Sequence, residues 1–308
     1  MKRRLLSLLP ASAVARLRDT KKGTRRARYR ARQRLRPVSV SRADVVRALK
    51  DVGVREGDGV FAHVSMSAFG EVEGGSDTVL DAFEEAVGPH GTVVLPAFPL
   101  VGGMHEYLAT DPVFAVRETP SRMGSVTEAF RRRPGVRRSL HPTHSVAASG
   151  PEAEEVVRGH ADADTPFGAG TPFAAMIERD FVQLWLGTGI RIFTLYHSFE
   201  CLREGGFPID VFEAEAVAAR CVDEEGRELV VRTLVHDPGV SGRKDDRREG
   251  MLRHLLTTGA VRRASLGRGE VLGGRMRQLV DELETLLQQG VTIYDLPVGT
   301  AESRGQGS

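Results

Sequence analysis

The sequence predicts a layered α/β/α fold whose central sheet is mostly parallel, with one late antiparallel hairpin. Three observations predict it. Thr92-Val-Val-Leu-Pro96 is a short unbroken apolar run, the pattern of a strand covered on both faces. Such runs alternate with stretches of helical hydrophobic period, the ordering that places helices against a sheet. Late in the chain, residues 212–221 and 228–234 read as strands joined by the turn Asp223-Glu-Glu-Gly226.

The elements follow in chain order. Ser41 caps a helix bearing Val45, Val46, Ala48 and Leu49, and Gly53 closes it. A strand is expected over residues 59–63. A loop with Gly70, Gly74 and Gly75 leads to a helix opened by Ser76, with Val79, Leu80, Ala82 and Phe83 on one face. Residues 92–96 complete a strand, helix, strand unit. Residues 97–123 hold Gly102, Gly103, Pro112 and Pro120 and read as loop, and residues 124–131 as a short helix. Strands at 146–148 and 182–187 alternate with helices at 152–158 and from Tyr196. After the hairpin, helices at 247–256 and 275–289 close the body.

The 308 residues are 41% hydrophobic, enough for a large core. Charge is uneven: residues 1–38 hold 14 Lys or Arg against the single acid Asp19. The expected plan is a basic N-terminal arm over 1–38, disordered or helical, a catalytic domain over 39–300 and a disordered tail over 301–308. The arm can hold an anionic partner, nucleic acid or a membrane surface, by charge. A solvated tail is the other reading. Cys201 and Cys221 fit neither a zinc spacing nor a disulfide framework, so a cytoplasmic setting is expected. No run of eighteen apolar residues suggests a transmembrane helix. Residues 1–15 mimic a secretory signal, but Pro10 interrupts the apolar run and an Arg cluster follows.

Three segments carry chemistry. His63, Ser65 and Ser67 stand where a buried strand leaves the sheet, the place where α/β proteins bind ligands. Their hydroxyls can receive a phosphate or a pantetheine amide, or can simply satisfy their own loop. Arg138-Ser-Leu-His-Pro-Thr-His-Ser145 places two more histidines beside hydroxyls. In Thr194-Leu-Tyr-His-Ser-Phe-Glu200, His197 lies near a helix start, where the helix field favours a neutral imidazole suited to a base. Asp237 can accept a hydrogen bond from its second ring nitrogen and fix the tautomer.

In this order, the His-x-Ser-x-Ser exit, the Arg-Ser-x-His-Pro segment and the Thr-x-x-His-x-x-Glu segment resemble the aminoglycoside 3-N-acetyltransferase family. The resemblance implies an antibiotic-resistance type of N-acetyltransferase that uses acetyl-CoA. It implies His197 as general base and Asp237 as its orienting acid. It assigns coenzyme binding to His63, Ser65, Ser67, Gly124, His141 and Thr194, and acceptor contacts to Phe167, Glu200 and His236. Where some members carry a carboxylate two residues before the orienting acid, this chain has Val235. Residues 207–210, Phe-Pro-Ile-Asp, are closer to members associated with amino-sugar assembly.

The expected reaction is direct attack by an amine of an aminoglycoside or related amino sugar within a ternary complex. An N-acyltransferase of natural-product biosynthesis with another acceptor is the alternative. A metal-dependent hydrolase using His141, His144, His197, His236 and Asp237 is a third reading, although no metal is expected. The partner is a small-molecule amine, and the protein is a monomer or a homodimer.

Overall fold

The computed structural model describes residues 37–100, 102–244 and 247–296. Apart from Pro37 and Val38, the arm over 1–38 and the tail over 301–308 therefore lie outside the described residues.

Among the described residues there are twelve strands: β1 (Ser39–Val40), β2 (Gly59–Val64), β3 (Glu71–Val72), β4 (Thr92–Pro96), β5 (Phe114–Ala115), β6 (Arg137–Arg138), β7 (Val146–Ser149), β8 (Val182–Leu186), β9 (Val217–Val222), β10 (Glu228–Thr233), β11 (Arg262–Leu266) and β12 (Gly269–Arg275). Local signals place the helix Arg42–Asp51. Ser41 Oγ accepts from Asp44 N at 3.3 Å, and the Asp44 carboxylate accepts from Ser41 N at 3.0 Å, a reciprocal cap that satisfies two end donors.

Seven strands form the central sheet in the order β11-β12-β8-β2-β4-β7-β6. Only β8 with β2 and β2 with β4 run parallel, so the mostly parallel sheet expected from the sequence is corrected to a mixed one. The crossover helix Ser76–Val87 sets the parallel pair β2 and β4, whereas β7 returns against β4 after a long excursion. The strands β11 and β12 form a second hairpin, which adds antiparallel pairing beside β8. The hairpin read from the sequence is β9 and β10. It stands outside the central sheet, in a three-stranded sheet with β5.

Both faces of the central sheet are covered, which is why its inner strands read as continuous apolar runs. On β2, Phe61 belongs to the core that holds Trp185, Tyr196 and Leu279, while Val60 and Ala62 belong to the one that holds Val45, Leu49 and Phe83. Successive side chains thus serve opposite layers. Helices Pro172–Glu178, Thr194–Leu202 and Met276–Gln288 cover the first face; Arg42–Asp51 and Ser76–Val87 cover the second.

Strands β2 and β8 end side by side, with Ser65 N donating to Leu186 O at 2.8 Å. Gly187 turns the chain there with φ +70°. A Cβ at Gly187 would lie 2.6 Å from Ala68 Cβ and 2.8 Å from Ser65 O, so only glycine permits the approach. The result is an open crevice at the carboxyl ends of parallel strands.

Candidate active site

His197 is the fourth residue of helix Thr194–Leu202. Residues three apart share a helix face, and Glu200 accordingly lies beside it, with Oε2 2.7 Å from His197 Nδ1. Tyr294 Oη donates to Glu200 Oε1 at 2.7 Å, and Lys244 Nζ stands 3.1 Å from His197 Nε2. An ammonium can only donate, so Nε2 presents its lone pair and Nδ1 carries the proton directed at Glu200. Burial, then the charges of Lys244 and Arg248, hold His197 well below the ordinary imidazole range, which keeps the ring neutral. Burial pushes the Glu200 carboxyl up, opposed by the Tyr294 hydroxyl and the Lys244 charge. The His197 side chain is 15% exposed and that of Glu200 0%, so the imidazole is the member of the pair that can meet a ligand.

His236 completes the cluster. Its ring centroid is 4.4 Å from that of His197, and its Nε2 lies 4.0 Å from Glu200 Oε2, buried and without a hydrogen-bond partner among the described residues. Phe167 and Phe212 stack on the ring at 5.6 and 4.7 Å. Phe167 is itself fully enclosed, so it supports the imidazoles and the acceptor contact assigned to it is corrected.

The hydrogen bond expected between Asp237 and His197 is not formed. Asp237 instead caps helix Pro238–Gly242, its Oδ1 accepting from Val240 N at 2.9 Å. His236 pairs with Phe212 in an extended bridge, where neighbouring side chains point opposite ways; turning His236 toward His197 turns Asp237 away. Glu200, assigned to the acceptor from the sequence, holds the imidazole.

Three coenzyme assignments, His63, Thr194 and His141, fall on buried side chains. His63 is 4% exposed, and its Nε2 lies 3.1 Å from the hydroxyl of Thr194, itself 7% exposed. This buried contact ties β2 to the His197 helix and leaves little of either side chain for a ligand. His141 is fully buried, its Nδ1 accepting from Thr143 N at 3.2 Å and His144 N at 3.1 Å. Its loop motif is architectural: the Arg138 guanidinium donates to Ala97 O at 2.6 Å and Val116 O at 3.0 Å, and Ser139 Oγ lies 2.9 Å from His160 Nδ1. Gly124 precedes helix Ser125–Phe130 with φ +126° and open space at its Cβ position, as the helix start expected there requires.

Ser65 and Ser67 keep accessible hydroxyls, with Oγ atoms 3.5 Å apart. Beside them a crevice of about 740 Å³ is lined by Ala68, Gly187, Thr188, Arg191 and Arg253 together with the carboxylates Glu249 and Glu270, and Arg191 pairs with Glu249 at 2.9 Å. Thr188 Oγ1 is buried there without a partner among the described residues. The hydroxyls and the unsatisfied Thr188 oxygen suit the amides of coenzyme A, and Arg253 can meet a phosphate. A second cleft, of about 700 Å³, borders Glu200 and Phe212 and is lined by Asp164, Asp210 and Glu213, with no Lys or Arg on its wall among the described residues.

Lys244 and Tyr294 were not found from the sequence, because neither belongs to a local motif. Glu200 had a usable signal, its helical spacing from His197.

A family model described as Aminoglycoside 3-N-acetyltransferase matches residues 61–288. Aminoglycoside N(3)-acetyltransferase IX of Micromonospora chalcea is 34% identical over 178 residues, 54% of this chain and 63% of that protein. Aminoglycoside N(3)-acetyltransferase VIII of Streptomyces fradiae is 36% identical over 180 residues, 54% of this chain and 62% of that protein. In both cases the match spans less than two thirds of the relative. Among solved structures, the aminoglycoside acetyltransferase AAC(3)-Xa superposes with TM-score 0.72 at 25% identity, over 86% of this chain and 98% of that one. AAC-VIa bound to sisomicin superposes with TM-score 0.67 at 26% identity, over 82% and 99%. Fold, ordered motifs and family match agree: the chain belongs to the aminoglycoside 3-N-acetyltransferase family.

Proposed function

We propose that the protein acetylates an amine of an aminoglycoside or related amino sugar, with acetyl-CoA as donor, by direct attack in a ternary complex. The observation that carries this reading is the His197–Glu200 pair, whose Glu200 borders an acidic cleft. Acetyl-CoA supplies an activated acetyl group. His197 Nε2 takes the proton of the attacking amine, and Glu200, held by Tyr294, stabilises the imidazolium that forms. Asp164, Asp210 and Glu213 favour a cationic acceptor in the cleft. Ser65, Ser67 and Thr188 are assigned to the coenzyme. Burial raises the Cys201 thiol to about 12 and the Cys221 thiol to about 11, which speaks against a cysteine-borne acyl-enzyme.

The proposal is tested by release of coenzyme A thiol from acetyl-CoA in the presence of sisomicin, other aminoglycosides or nucleotide-linked amino sugars. Turnover with at least one is expected, and His197→Ala should lower it by about 10²–10⁴-fold with coenzyme affinity nearly kept. A folded protein that acetylates none of these amines would sink the reading.

One observation bears on the hydrolase alternative. His197, Glu200 and His236 set potential metal-ligand atoms within 4.8 Å of one another. However, Lys244 Nζ at 3.1 Å from His197 opposes a second cation, and Asp237, His141 and His144 are engaged elsewhere. Acetyl transfer unchanged by a chelator is the expected result; its abolition would favour the metal. No helix among the described residues is long and apolar enough to cross a membrane.

A further inference from the structure

The fold brings an amine of the protein itself to the base. Lys244 follows helix Pro238–Gly242, and its backbone forms an isolated bridge with Tyr294, the residue whose hydroxyl holds Glu200. Asp295 N donates to Arg243 O at 2.8 Å, fixing the same crossing. From this anchored position Lys244 Nζ reaches His197 Nε2 at 3.1 Å, with the Tyr294 ring centroid 5.9 Å away. Chemically it is a primary amine in hydrogen-bond contact with the nitrogen that the proposed reaction uses to deprotonate an acceptor amine. Among the other lysines, Lys50 is exposed in the last turn of helix Arg42–Asp51, which covers the opposite face of the sheet. Lys2, Lys21 and Lys22 lie outside the described residues.

Resting on the acetyltransferase reading above, we propose that Lys244 is an internal acceptor, acetylated on Nζ when acetyl-CoA is bound and no amino sugar competes for His197. The ammonium first releases one proton to water. The nitrogen lone pair then attacks the thioester carbonyl carbon, a C–N bond forms and the C–S bond breaks. His197 Nε2 receives the remaining surplus proton and passes it to the departing coenzyme A thiolate. The products are Nε-acetyl-lysine, coenzyme A and one proton, with no oxidant or reductant involved. Acetylation removes the Lys244 charge, and with it one of the influences that lower the basicity of His197. The acceptor and Lys244 compete for one lone pair, so bound acceptor protects the lysine.

The test is intact-protein mass and peptide mapping of the full chain after incubation with acetyl-CoA, alone or with saturating sisomicin, whose turnover is measured in the same preparation. One acetyl group on Lys244 is expected, formed at least about tenfold faster than on Lys50 because the amine is held at the base. Sisomicin should suppress it, and His197→Ala should slow it by about 10²–10⁴-fold. Sisomicin turnover with Lys244 unmodified overturns the inference and leaves the acetyltransferase reading intact. Labelling of Lys50 at an equal rate, or labelling that His197→Ala does not slow, also overturns it, since solution chemistry then suffices. His197-dependent labelling without sisomicin turnover supports the internal acceptor and rejects sisomicin as substrate. Neither labelling nor turnover with any amine removes both. The suppression by sisomicin needs no variant, so a poorly folding substitution does not blunt the test.

Discussion

At the scale of residues, the question is which carboxylate holds the imidazole. Glu200 lies 2.7 Å from His197 Nδ1, whereas Asp237 caps a short helix. Glu200→Gln keeps the shape but removes the charge that stabilises imidazolium, so kcat should fall by about 10²–10⁴-fold with modest change in coenzyme affinity. Asp237→Ala should cost about 1 kcal/mol of stability through the lost cap and leave kcat within severalfold. Steady-state kinetics beside urea unfolding separates the two, and the reverse ranking would return the role to Asp237. Tyr294 supplies a pH test. Burial raises the Glu200 carboxyl and the Tyr294 hydroxyl opposes that rise. The ionised carboxylate is the useful form, so activity should fall as pH drops through the raised value. Tyr294→Phe should move the acid limb of kcat/KM to higher pH; an unmoved limb would detach Tyr294 from the titration.

At the scale of elements, the motif residues divide into those that face the crevice and those that weld elements together. Ser65 and Ser67 leave β2 with accessible hydroxyls, while His63, one turn of the pleat earlier, bonds to Thr194 and meets Phe61 edge-on at 5.0 Å. Replacing both serines by alanine should raise the KM for acetyl-CoA more than it lowers kcat. His63→Ala should instead lower stability by about 2 kcal/mol or more, because it empties a packed site. Arg138 belongs with the welds. Its guanidinium reaches the carbonyls of Ala97, Val116 and Thr119, joining two loops to β6, and Phe114 lies beneath it at 4.8 Å. Arg138→Ala should cost about 3 kcal/mol or more by leaving buried carbonyls unpaired, read by denaturant unfolding. A coenzyme KM that moves with His63 but not with the serines would reverse the division.

At the scale of the whole molecule, six histidines are held neutral by burial: His63, His141, His144, His160, His197 and His236. All are lowered, His63 and His160 to about 3. The unfolded chain therefore binds more protons than the folded one below about pH 6.5, and stability is present above that value and lost as pH falls toward 3. Each such group costs about 1.4 kcal/mol per pH unit. Glu200, with its raised carboxyl, runs the other way, but it is one group against six. Against a typical stability of about 5–15 kcal/mol, this predicts acid unfolding between about pH 5 and 6, with uptake of several protons. Urea midpoints measured from pH 7.5 downward check it; a midpoint unchanged to about pH 5 would show that the histidines reach water.

The sequence by itself determined the layered α/β class, because hydrophobic period reports locally on whether one face or both will be buried. It also determined the cap of helix Arg42–Asp51, the crossover unit around Ser76–Val87, the hairpin of β9 and β10, and the segment bearing His197. Only the tertiary structure decided strand pairing at the sheet edges. The hairpin of β11 and β12 joins β8 across some ninety residues, a register that no local pattern encodes. The same distance hides the site: Tyr294 meets Glu200 across 94 residues, and Lys244 meets His197 across 47. Glu200 was legible as a residue, but its contact with the imidazole was not drawn: a carboxylate three positions from an imidazole is placed by the helix alone, yet which groups it meets depends on what covers it. Asp237 failed for the converse reason. A match in sequence names a residue, and the direction of its side chain follows from the extended pairing of its neighbour His236 with Phe212.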